Sequence, residues 1–324
     1  MTEPLFLKGT VKDYLWGGQR LRELFGKESD SEIIAESWEL SCHEDGCSVI
    51  MNGRDKGLTL TEYLKKHGEE KILGRDCRRL ENLPLIKLID AREPLSVQVH
   101  PDDHYAHEKG YPCGKTEMWY VLDAEPEAKL IYGVNRELTR QEFREHIEKG
   151  TLEEILQYVP VKKGDVFFIP AGTLHAIGKG ILIAEVQQNS NLTYRVYDYN
   201  RRDADGNLRE LHIEDAVAAA RLEPSSAESP FPIWRFPWGE KQTLSYCQYF
   251  VVNIITVQTE RRFTVRAGSF THLLITEGRG RLYTDKSEYE IKKGDSILLA
   301  ADTGNCRIDG DIGYIETYMP QAEE

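Results

Sequence analysis

Apolar and polar positions alternate with a period of two along most of the chain, interrupted by Gly and Asp turns, which is the pattern of short β-strands. It is clearest towards the end, where TLSYCQYFVVNIITV, FTVRAG, THLLITEGRGRLYT, EYEIKKGDSILLA and GYIETYM follow one another. Three stretches depart from it and show helical spacing instead. Thr59 and Glu62 open TLTEYLKKHGEEKIL, and Thr139 and Glu142 open TRQEFREHIEKG. Both pairs have the offset at which a hydroxyl caps the N3 amide while the N3 carboxylate reaches back to the cap. The third stretch, LHIEDAVAAARL at 211–222, is amphipathic without that signature. The expected fold class is mainly β with added helices.

The strand pattern also repeats. VKKGDVFFIPAGTLH (161–175) aligns without gaps on IKKGDSILLAADTGN (291–305), and Val121-Leu122-Asp123 corresponds to Ile275-Thr276-Glu277. The first copy is longer by a helical insertion near 139–158. Two related β-barrels of jelly-roll type are therefore expected, the second degenerate because Asn305 stands where the first has His175. The stretch 224–238, PSSAESPFPIWRFPW, is rich in Pro and Ser and reads as a linker. The expected division is a catalytic, metal-binding domain over 1–223, the linker over 224–238, and a C-terminal domain over 239–324.

Within the first copy, PLSVQVHP (94–101) alternates strictly, so Ser96, Gln98 and His100 share one strand face and Leu95, Val97 and Val99 the other. A polar row on a covered strand is costly unless its groups bind one another, water or a ligand. TEMWYVL puts Glu117 on one face with Trp119 and Val121, and His175 follows a turn shaped by Pro170 and Gly172. Gln98, His100, Glu117 and His175 together offer two nitrogens and two oxygens, a donor set that suits Zn²⁺ and also accepts Fe²⁺ or Mn²⁺. Taken singly each has a structural reading: His100 ends a strand before Pro101, His175 is a core histidine, Glu117 pairs with Lys115.

Charge narrows the partners. Forty-one Lys plus Arg against 54 Asp plus Glu leave a formal charge of −13, which disfavours nucleic acid and anionic membranes. The N-terminal segment lacks the basic and apolar sequence of a leader, and no apolar run is long enough to span a bilayer, so a cytoplasmic protein is expected. Six scattered cysteines read as free thiols; Cys42-His43 with Cys47 resembles half of a metal site but has no second Cys/His pair to complete it.

Six separated segments then fall into a recognisable order: LWGG (15–18), ESWELS (36–41), PLSVQVHPD (94–102), GKTEMWYVL (114–122), PAGTLHAIGKG (170–180) and QNSNLTYRVYDY (188–199). The turn before His175 resembles the second cupin motif, and the set resembles the short bacterial form of type I phosphomannose isomerase. The resemblance spans about residues 10 to 215. It implies a cupin-type enzyme with one Zn²⁺ per chain on Gln98, His100, Glu117 and His175, interconverting mannose 6-phosphate and fructose 6-phosphate. It also implies a catalytic role for Arg195 and substrate-handling or proton-transfer roles for Lys115 and Glu185. The only partner it implies is a small sugar phosphate, with the chain a monomer or weak homo-oligomer.

Aldose–ketose isomerisation moves a proton between adjacent carbons through an enediol(ate). Glu185 shares a face of GILIAEVQQ with apolar neighbours and is one candidate base; water activated by the metal is the other. Arg195, Arg201, Arg202 and Lys115 are the cations available for a phosphate, although Arg201 and Arg202 lie in a turn-rich segment and read as surface residues. Two His and a carboxylate also occur in non-haem iron oxygenases, and a sugar-binding cupin without catalysis would keep the same fold.

Overall fold

The structure is a computed structural model describing residues 2–77, 79–202, 206–226 and 230–321. It is mainly β, with short helices, and forms two compact units. Among the described residues no helix is long and apolar enough to cross a membrane.

One unit comprises 1–14, 19–89 and 229–324. This differs from the expected division at 223, because the first 89 residues group largely with the C-terminal part. The reason is strand pairing: Leu5–Lys8 runs antiparallel to Ser296–Leu299, and Val49–Ile50 continues the same sheet beyond it. The expected linker is also part of the fold. Ile233–Phe236 forms a strand on Gly239–Tyr246, at the end of the sheet order. Three of its four prolines, Pro230, Pro232 and Pro237, flank that strand, where a missing N–H breaks no ladder.

The other unit comprises 15–18 and 90–228. Leu156–Pro160, Lys129–Val134, His175–Ala176, Val97–Val99 and Tyr194–Tyr197 form one five-stranded sheet in that order. Val166–Ile169, Glu117–Ala124 and Ile181–Gln187 pair side by side in a second. The expected insertion is the helix Arg140–Glu148, whose capping box on Thr139 and Glu142 is complete, followed by one 3₁₀ turn at Leu152–Glu154. Phe143 and Ile147 from this helix, with Ala216 and Val217 from the helix Ile213–Ala219, pack on Val97, Val99, Leu174 and Val196. The apolar face of the Gln98 strand is thereby sealed, and its polar face is left for chemistry.

The sequence repeat is a repeat of hydrogen bonds. Gly164 and Gly294 both have positive φ, 92° and 93°, as these tight turns require. Asp165 and Asp295 each accept from the amide three residues back, Lys162 and Lys292, at 2.9 and 2.8 Å. Gly164 N donates to Val121 O at 2.8 Å and Gly294 N to Ile275 O at 2.9 Å, so the aligned triplets 121–123 and 275–277 also correspond in space. The helix expected over 59–73 is present as two pieces, Leu60–His67 and Glu69–Leu73, because Gly68 adopts φ 94° between them.

Candidate metal centre

Register places the polar side chains in rows. His175 is directly opposite Gln98, and Gln98 is opposite Arg195 on its other side, so the three share one sheet face. In the second sheet, Glu117 lies opposite Gln187, and Trp119 opposite Glu185. The turn that presents His175 needs Gly172 at φ 89°, where an added Cβ would approach Ala219 O to 2.9 Å. Gly172 N donates to His100 O at 2.8 Å, tying this turn to the end of the Gln98 strand.

The side chains converge. His100, Glu117 and His175 are 1%, 0% and 0% exposed, and their ligand atoms all lie within 4.8 Å of one another. His100 Nε2 is 3.5 Å from Glu117 Oε2, and His175 Nε2 is 3.3 Å from Glu117 Oε1. Each imidazole is oriented from behind: His100 Nδ1 lies 2.8 Å from Leu192 O, and His175 Nδ1 lies 2.8 Å from Thr173 O. A carbonyl only accepts, so each Nδ1 carries the proton and each Nε2 presents a lone pair to the cluster. Burial, more than any other influence, pushes His175 down to about 4, the nearby Lys115 lowering it further while the Thr173 carbonyl and Glu185 act the other way. The ring is neutral at pH 7, as ligation demands.

Gln98 completes the set from one side. Its Nε2 is 3.3 Å from His175 Nε2. Two nitrogens at that distance gain little; turning the amide over brings its oxygen to the same point, where it serves as a donor to a cation. The chemistry of these donors, two imidazoles, a carboxylate and an amide around one point, fits a divalent metal.

Lys115 is buried, with Nζ 3.2 Å from Glu117 Oε2. Glu185 is buried and accepts from Trp119 Nε1 at 2.7 Å, while the Trp119 ring meets His175 edge-on at 5.3 Å. Arg195 is half-buried, its guanidinium donating to Glu210 O at 2.9 Å and its charge disfavoured by desolvation. Arg201 pairs with Asp198 and donates to Pro94 O at 2.7 Å, while the exposed Arg202 donates to Gly206 O at 2.6 Å, in keeping with surface roles. Sequence reasoning did not find the supporting groups: the carbonyls of Thr173 and Leu192, which no residue type announces, and the indole of Trp119, whose only signal is that it shares a face with Glu117.

A model of the type I phosphomannose isomerase catalytic domain matches residues 5–134, and one of the mannose-6-phosphate isomerase cupin domain matches 240–319. The chain is 40% identical to mannose-6-phosphate isomerase ManA of Bacillus subtilis (strain 168), over 98% of this chain and 99% of that one. It is 38% identical to the mannose-6-phosphate isomerase of Streptococcus mutans, again over 98% and 99%. The crystal structure of a Bacillus subtilis mannose 6-phosphate isomerase superimposes with a TM-score of 0.90 at 35% identity, covering 98% of this chain and 99% of the other.

Proposed function

The chain belongs to the type I phosphomannose isomerase family, and from that premise we propose that Gln98, His100, Glu117 and His175 hold the metal at which it interconverts mannose 6-phosphate and fructose 6-phosphate. One observation carries the assignment: two buried imidazoles, each with Nδ1 engaged by a backbone carbonyl, aim Nε2 at the same buried carboxylate. Zn²⁺ is the ion this mixed nitrogen and oxygen set suits best. When bound, such an ion polarises the sugar carbonyl and stabilises negative charge on oxygen.

The protein's own groups then divide the work. Lys115 places its cation 3.2 Å from one Glu117 oxygen, which orients the carboxylate. Arg195 shares a sheet face with Gln98 and supplies a permanent cation for the enediolate oxygens or the substrate phosphate. Glu185, bonded to the indole, holds Trp119 in its edge-on contact with His175, a positioning role beside the substrate-handling or proton-transfer role expected of it. The reaction is a cytoplasmic one on a small sugar phosphate, without nucleic acid or membrane, as the net charge of −13 favours.

Two variants separate ligation from charge stabilisation. Glu117→Gln is expected to lower both bound metal and turnover, while Arg195→Ala keeps one metal per chain and loses about 10²-fold or more in kcat. Loss of metal from the Arg195 variant would show that Arg195 supports the ligands instead.

A further inference from the structure

The half-site noted around Cys42 holds two sulfurs placed on facing strands. Cys42 and Cys47 lie directly opposite each other on the antiparallel strands Cys42–His43 and Gly46–Cys47, and both are half-buried free thiols. Just outward, Ser48 N donates to Ser41 O at 2.9 Å, while Ser41 N donates to Ser48 Oγ at 3.0 Å. Antiparallel pairs alternate, so Cys42–Cys47 is a non-hydrogen-bonded pair, with Cα atoms about 4.5 Å apart and side chains at their closest. A disulfide spans about 4.4–6.8 Å between Cα atoms, so the backbone need not move far to accept one.

The two thiols are also unlike. Cys47 Sγ is 3.3 Å from Thr61 Oγ1, in the first turn of the helix Leu60–His67. Hydrogen bonds from Cys42 and then Thr61 hold Cys47 below the usual thiol range, whereas Cys42 is pushed up by its bond to Cys47 and by burial. One sulfur is thus prepared to attack, and the other keeps its proton beside it.

We propose that Cys42 and Cys47 form a peroxide-sensitive dithiol that closes to a reversible cross-strand disulfide. The Cys47 thiolate attacks one oxygen of hydrogen peroxide; the O–O bond breaks, hydroxide leaves and is protonated to water, and Cys47 becomes a sulfenic acid. Cys42 then gives up its proton and attacks the Cys47 sulfur, the S–O bond breaks, and a second water departs. Two thiols and one peroxide give one disulfide and two waters; the sulfur pair loses two electrons and the peroxide gains them. A dithiol reductant reverses the step by exchange.

The test uses the full chain. Both cysteines fall in one tryptic peptide, Glu28–Arg54, free of internal Lys or Arg. After brief exposure to hydrogen peroxide, then alkylation and mass spectrometry, this peptide should lose the mass of two hydrogens and carry no alkyl group, and dithiothreitol should restore both alkylation sites. Cys77 and Cys306, buried and raised to about 12, should remain reduced in the same sample. In the reduced protein near neutral pH, Cys47 should alkylate about tenfold faster than Cys42 or more. Cys42→Ser should leave a Cys47 sulfenic acid that dimedone traps, and Cys47→Ser should leave Cys42 unoxidised. Full alkylation of both residues after peroxide, or dimedone-labelled Cys47 in the unsubstituted protein without disulfide, would overturn the proposal.

Discussion

The two halves of the internal repeat share a turn and differ in what fills the space beside it. In the first, Ile169 is paired with Glu117; in the second, the aligned Leu299 is paired with Thr271, so a threonine occupies the register position of the buried carboxylate. His175, fully buried, corresponds to Asn305, which is exposed and accepts from Thr264 Oγ1 at 3.0 Å. One set of polar groups in the second half instead bind one another. Arg261 donates to Tyr314 Oη at 2.6 Å and Glu316 Oε1 at 2.7 Å, while Asn253 accepts from Thr243 Oγ1 at 3.0 Å and donates to Glu316 Oε2 at 3.3 Å. A network that closes on itself contributes structure. A cluster whose lone pairs converge on one point, as at His100, Glu117 and His175, is arranged for a cation.

Substitutions at corresponding positions sharpen this contrast. His175→Ala should reduce isomerase turnover by at least about 10³-fold, since the metal contributes several kcal/mol to the transition state at roughly 1.4 kcal/mol per tenfold. Next in size is the second half: Arg261→Met leaves Glu316 buried without its cation and should destabilise the protein by about 3–5 kcal/mol in urea unfolding, with metal content unchanged. Adding Glu316→Leu should recover much of that loss; if it does not, the network does more than satisfy itself. Trp119→Phe removes the indole donor from Glu185 and should cost about 10–100-fold in metal affinity or turnover.

The smallest effect concerns His272, buried in the second half with Nε2 2.9 Å from Ser296 Oγ. Burial, with Lys27 adding to it, lowers His272 from 6.5 to about 3. The unfolded chain therefore binds a proton that the folded chain does not between those values, and stability falls as pH drops through that window. His272→Asn should flatten the slope of unfolding free energy there by up to about 1.4 kcal/mol per pH unit. An unchanged slope would show that His272 is not held neutral.

Local signals were legible in the sequence and distant ones were not. The capping boxes at Thr59 and Thr139 are spelled out within four residues, and both form. His100, Glu117 and His175 stood out because ionisable groups on alternating, otherwise apolar strands need a partner. Leu5–Lys8 carries no sign that its partner strand lies near residue 297, so the grouping of 1–14 and 19–89 with the C-terminal strands is not legible in the sequence. Pro and Ser between 224 and 238 masked the four-residue strand Ile233–Phe236. The strand pattern shows the face of Glu185 but not the Trp119 indole across from it, so that hydrogen bond was not legible in the sequence.

The central claim is that the first half holds a metal without which the isomerase does not turn over. Coupled detection of fructose 6-phosphate formed from mannose 6-phosphate, on protein as purified, after chelation and after zinc is restored, with metal content measured on each sample, tests it directly. Activity should vanish with the metal and return with about one zinc per chain; full activity in metal-free protein would contradict it.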